Sequence, residues 1–105
     1  MKEEFLPLVV NKNTTNHRFE LTVDGYIAFI DYKEDSQRIH LMHTESPEEL
    51  AGRGVATALI EKTLLYVEEH KKTLMPFCPL VFAYIKKHPE WKRIVDVDFP
   101  AFDKL

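Results

Sequence analysis

Leu50-Ala51-Gly52-Arg53-Gly54-Val55-Ala56 is the stretch on which the reading of this chain turns, because the hydrophobic period changes across it. Beyond Gly54, Ala56, Leu59, Ile60, Thr63, Leu64 and Val67 recur at the spacing of one face of a helix. Two glycines flank Arg53 just before that helix opens. The first N–H groups of a helix have no intrahelical partner and point along the positive end of its dipole, an arrangement suited to phosphate oxygens. Small residues let such a ligand approach the backbone, and Arg53 adds charge. Glycines before helices also serve as plain loop punctuation, so the turn alone leaves both readings open. Ser46-Pro47-Glu48-Glu49 fits a capping box, but the glycines that follow limit it to a short preamble.

Towards the N-terminus the pattern is that of strands. Phe5 to Val10 is an apolar run expected to form a first strand, with Pro7 at an edge or strand end. Asn11 to Asn16, rich in Asn and Thr, is expected to be a polar turn. His17 to Val23 alternates, with Phe19 and Leu21 on one face and Arg18, Glu20 and Thr22 on the other. Asp24-Gly25 signals a hairpin, Tyr26 to Tyr32 the return strand, Lys33 to Ser36 a turn, and Gln37 to Thr44 a fourth strand.

Towards the C-terminus, Glu61, Lys62, Glu68 and Glu69 lie off the apolar stripe and are expected to face water. His70-Lys71-Lys72 suits the negative end of the helix. Thr73 to Phe77 reads as a short buried strand, and Pro79 as the first residue of a second helix closed by Pro89. Ile94 to Phe99 reads as an edge strand or an ordered tail. The order ββββ-α-β-α makes the fold class α+β, with a mixed, mainly antiparallel sheet and a right-handed crossover into the fifth strand.

Bulk properties bound the function. A chain of 105 residues, 45% hydrophobic and 30% charged, is one globular domain, residues 1–105, able to bury a core. A net charge of -3 with no dense Lys/Arg cluster argues against nucleic-acid binding. The single cysteine excludes an internal disulfide and a multi-Cys zinc site, so no metal is expected, and a lone thiol suits a reducing compartment. Met1-Lys2-Glu3-Glu4 lacks a signal-peptide core, and no apolar run approaches the roughly 20 residues of a membrane span. A cytoplasmic protein without a membrane partner is expected.

Several ordered motifs together resemble the GCN5-related N-acetyltransferase superfamily. Its signature Q/R-x-x-G-x-G/A falls on Ala51-Gly52-Arg53-Gly54-Val55-Ala56; Gly54 and Ala56 match, and Ala51 replaces the usual Gln or Arg. The minimal, single-domain branch is more similar still, through His43-Thr44-Glu45, Pro47-Glu48-Glu49-Leu50, Cys78-Pro79-Leu80 and Tyr84-Ile85-Lys86-Lys87-His88-Pro89-Glu90. Leu80 stands where that branch has Phe. The resemblance covers roughly Tyr26 to Trp91. It implies acetyl-CoA as cosubstrate, held where the fourth and fifth strands splay apart. Pantetheine would meet the backbone of Leu41, Met42 and His43, and the pyrophosphate the N–H groups of Arg53, Gly54, Val55, Ala56 and Thr57. Phe82, Lys86 and Lys87 would border the other side, near Cys78. The short Asn11 to Asn16 segment leaves no room for the helices that wall the acceptor site in larger members, so that site is expected to be open.

The chemistry needs a neutral amine, a polarised thioester carbonyl and a proton for the departing thiolate. Cys78, just before Pro79, sits at a helix N-cap, where the dipole favours thiolate. Its open roles are acetyl acceptor in a ping-pong step, pocket wall beside the CoA sulfur, or a small buried hydrophobe. His43, at the end of the fourth strand, is of the residue type best suited to serve as a general base near neutral pH. His40 is three residues back, on the opposite face of a regular strand, which argues against a metal pair. Tyr84 falls where the superfamily places a tyrosine that protonates the CoA thiolate, and six residues after Cys78 it can border the same pocket. His88, Glu90 and Trp91 read as structural. The leading expectation is an acetyl-CoA-dependent N-acetyltransferase acting on an unidentified amine. A non-catalytic acyl-CoA sensor and a protein-interaction domain are the alternatives.

Overall fold

The computed structural model describes residues 1–105 as five strands and two α-helices. The strands are β1 (Asn11–Asn13), β2 (Arg18–Val23), β3 (Tyr26–Glu34), β4 (Arg38–Glu45) and β5 (Thr73–Pro76), ordered in the sheet as they are in the chain. Helix α1 (Val55–Glu69) carries the chain from β4 to β5, and α2 (Pro79–Lys87) follows β5. The pairs from β1 to β4 are antiparallel and β4–β5 is parallel, so the fold is α+β with a mainly antiparallel mixed sheet. Parallel neighbours need a long crossover, and α1 supplies it.

Alternation along the strands builds the core. Phe19, Leu21, Ala28, Ile30, Ile39 and Leu41 turn to one face and are buried against Ala58, Leu59, Leu64 and Val67 of α1. The opposite face, with Arg18, Ile27, Phe29 and Asp31, stays half-buried or exposed.

The N-terminal segment departs from expectation. Phe5 to Val10 is not a strand: Glu3–Phe5 is a 3-10 turn, and the first strand is Asn11–Asn13, within the segment read as a polar turn. Pro7 has no N–H to give a ladder. Lys62 of α1 instead donates its ammonium to the Leu6 and Leu8 carbonyls, and Phe5 is buried. Asn11 and Asn13 reach across to the Glu20 carboxylate, which makes a polar β1 workable. Glu61, Lys62, Glu68 and Glu69 lie on the outer side of α1 as expected, the first three partly covered by surface partners. Glu61 lies 3.9 Å from the Met1 ammonium, and Glu68 bonds Arg93 at 2.8 Å, leaving only Glu69 fully exposed among the four.

At the far end, Pro89–Ile94 is a 3-10 helix and Ile94 to Phe99 forms an ordered tail with one bridge, Leu74 to Val95. Asp96 clamps this tail, accepting bonds from Arg38 at 2.7 Å and the Thr73 hydroxyl at 2.7 Å. No helix is long and apolar enough to cross a membrane.

Candidate functional site

Strand β4 carries an irregularity that shapes the site. Asp31 pairs with His43 but Tyr32 pairs with Leu41, so Met42 has no partner on β3. The extra residue is a β-bulge, which bends a strand and re-aims its side chains. Burial accordingly runs Ile39, Leu41, Thr44, a three-residue step where a regular strand takes two. His40 and His43 therefore share the open face, correcting the placement on opposite faces that a regular strand implies. His40 packs beside the Phe77 ring at 5.7 Å, and His43 Nε2 stands 3.1 Å from Glu45 Oε1.

Beyond the bulge, β4 and β5 part. Their pairing ends at Leu41 and Pro76, while β4 runs on to Glu45. Pro76 has no N–H with which to continue the ladder. The last link is the Cys78 N–H, which donates to the Leu41 carbonyl at 2.8 Å. That carbonyl is thus already engaged, and Met42 and His43 carry the unpaired edge.

Cys78 is the N-cap of α2 and is only 1% exposed. Its sulfur lies 3.1 Å from the hydroxyl of Thr44, a buried contact in which either group can donate. Thr44 was not singled out from sequence. Only the bulge brings it to the inner face, and nothing in the residue pattern announces the bulge.

The glycine turn is built as expected. Gly54 is the N-cap of α1 at φ 81°, in the left-handed region that favours glycine. No side chain caps this helix, and the first N–H to find a carbonyl is that of Ala58, bonded to Gly54 at 3.1 Å. The N–H groups of Val55, Ala56 and Thr57 are left without backbone partners. Arg53 is turned elsewhere: its guanidinium bonds Asp24 and reaches Glu4 at 3.7 Å, and the Asp24 bond raises its pKa. The cation lying over the turn is Lys2, whose Cε is 3.6 Å from where a Cβ on Gly54 would stand. No sequence signal links Lys2 to the turn, since their approach depends on how the N-terminal segment folds back.

From those free amides a groove of about 360 Å³ runs between α1 and α2, with Ala56, Thr57 and Ile60 on one wall and Leu80, Tyr84 and Lys87 on the other. Phe82 faces away, its ring 6.2 Å from Phe99, and neither it nor Lys86 lines the groove. Tyr84 is half-buried there, its ring tilted against that of His88 at 4.4 Å. Burial, then the nearby Glu61 carboxylate, raise its pKa, keeping the phenol protonated at neutral pH. The structure thus brings Thr57, Tyr84 and Lys87 together. Cys78 is set apart beside Thr44, so Cys78 and Tyr84 do not line one pocket.

A bulged strand, a glycine turn with free backbone amides and an opened parallel pair follow one another along the chain. A family model described as GCN5-related N-acetyl-transferase matches residues 18–94, from the start of β2 to the end of the last buried 3-10 turn. No protein of curated function matches the chain in sequence. With the match spanning β2 to β5, both helices and the glycine turn, the chain belongs to the GCN5-related N-acetyl-transferase family.

Proposed function

We propose that this protein transfers the acetyl group of acetyl-CoA to an amine acceptor. The observation that carries the reading is the set of free N–H groups at Val55, Ala56 and Thr57, opening onto the α1–α2 groove beside the parting of β4 and β5. The donor set fits the cosubstrate: backbone amides and Lys2 for phosphate oxygens, Leu80 and Ile60 for an apolar arm, and the unpaired edge at Met42 and His43 for amide groups. Neither Arg53, as paired here, nor Phe82 and Lys86, as oriented, adds to that set.

Acetyl transfer requires the amine lone pair to form a bond to the thioester carbon while the carbon–sulfur bond breaks. His43 is suited to take the proton the amine loses, and Tyr84, kept protonated, to return one to the leaving sulfur. Burial of Cys78 and its contact with Thr44 favour direct transfer over an acetyl-Cys78 intermediate.

Titrating acetyl-CoA while following backbone amide shifts, then adding primary amines and weighing the products, tests the reading. Shifts at Arg53 to Thr57 followed by acetylated amine are expected. Binding without turnover on any amine would leave an acyl-CoA-binding module, and no binding at millimolar acetyl-CoA would remove both readings.

A further inference from the structure

A second cavity, of about 410 Å³, lies on the open face of the sheet and is lined by Ile27, Phe29, Thr44, Glu45, Ser46 and Pro47. Its walls combine apolar surface from Ile27 and Phe29 with a single charged group, Glu45. One oxygen of that carboxylate stands 3.1 Å from His43 Nε2, leaving Oε2 free. Thr44 is common to this cavity and to the Cys78 contact, so the cavity floor adjoins the place where β4 and β5 part. Arg18 lies 3.8 Å over the Phe29 ring and is bonded to Asp31 at 3.1 Å, so its charge is already balanced.

From this arrangement we infer that the cavity is the acceptor subsite and takes a primary monoamine carried on an apolar arm, with Glu45 holding its ammonium. This rests on the acetyl-transfer reading and deepens it. A polycation is disfavoured, because one carboxylate lines the cavity and Arg18 covers the adjoining surface. Before reaction the ammonium gives one proton to His43 Nδ1, the ring nitrogen that Glu45 leaves free, and the imidazolium so formed is paired through Nε2–H with Glu45 Oε1. The freed lone pair then bonds to the acetyl carbon, the carbon–sulfur bond breaks, the thiolate takes a proton from Tyr84, and the second proton shed by nitrogen restores the phenol. Glu45 therefore both binds the amine and positions His43.

Hexylamine and spermidine are the probes, with the protein of residues 1–105 and saturating acetyl-CoA. Hexylamine is expected to be acetylated with the higher kcat/KM, and Glu45→Gln to raise its KM about tenfold, the loss expected for a hydrogen bond to a charged group. The KM for acetyl-CoA stays unchanged in that variant. An unaltered hexylamine KM in Glu45→Gln, or a preference for spermidine, overturns the inference while leaving acetyl transfer intact. Amide shifts under hexylamine, read at Ile27, Phe29 and Ser46, separate the two ideas. Shifts there that vanish in Glu45→Gln, without any transfer, keep the subsite and refute the transferase reading. Absence of both shifts and transfer refutes both.

Discussion

At Cys78 the sulfur is committed to a neighbour. Its contact with the Thr44 hydroxyl is buried, so Cys78→Ala strips a polar atom of its partner and is expected to cost about 1–3 kcal/mol in urea unfolding, whereas Cys78→Ser keeps a partner and costs less. If Cys78 carried the acetyl group, both variants would abolish transfer; direct transfer leaves Cys78→Ser active. Tyr84 gives a second residue-scale test. In the role proposed for it, as acid to the leaving sulfur, it would work below its raised pKa, so activity should fall only as pH rises beyond the ordinary 10.0 of a tyrosine. Tyr84→Phe should lower kcat roughly a hundredfold with acetyl-CoA affinity unchanged, checked by steady-state kinetics and calorimetry. His43, Cys78 and Tyr84 stand out in the sequence as candidates because they sit in ordered motifs. Thr44 and Glu45 sit in the same motif as His43, but the contact of Thr44 with Cys78 depends on the bulge, and the approach of Glu61 to Tyr84 on how α1 faces α2.

Helix α1 was legible almost to the residue, because its apolar spacing begins where Gly54 ends the turn. That precision has a testable basis. Gly54 at φ 81° occupies a region that a Cβ penalises, and a methyl there meets only the flexible Lys2 side chain at 3.6 Å. Gly54→Ala should therefore destabilise through backbone strain rather than a clash, by about 1 kcal/mol in thermal unfolding, and should weaken acetyl-CoA binding by misaligning the amides. Strand β1 was misread for the converse reason. Composition favoured the apolar Phe5 to Val10 for pairing, but these residues are drawn onto α1, where Lys62 satisfies their carbonyls. The polar Asn11 and Asn13 pair instead because Glu20 awaits them on the neighbouring strand. Such cross-strand complementarity is invisible to a pattern that scores each segment alone.

For the whole molecule, the Asp96 clamp ties the C-terminal tail to β4 and β5. Bonds from the Asp98 N–H, the Arg38 guanidinium and the Thr73 hydroxyl hold its pKa at about 2, below the usual 3.8. A folded-state pKa depressed in this way stabilises the fold above about pH 4, and the contribution is lost as pH falls towards 2. Urea midpoints should decline through that window, and Arg38→Ala should both lower the midpoint near neutrality and flatten the decline. The fold class and the order ββββ-α-β-α were legible because each period change coincides with a turn. The tail was left between strand and coil because its anchoring residues lie far from it in sequence. The sheet order, identical to the chain order, also bears on how the protein reaches its native state. Pairings among β1 to β4 close short loops and form quickly, whereas docking β5 beside β4 waits for α1 to bridge them. The cleft between β4 and β5 is then the last region to consolidate. Substitutions lining it should hasten unfolding while leaving the refolding rate nearly untouched, so the chain tolerates variation at its reactive end without forfeiting its route to the fold.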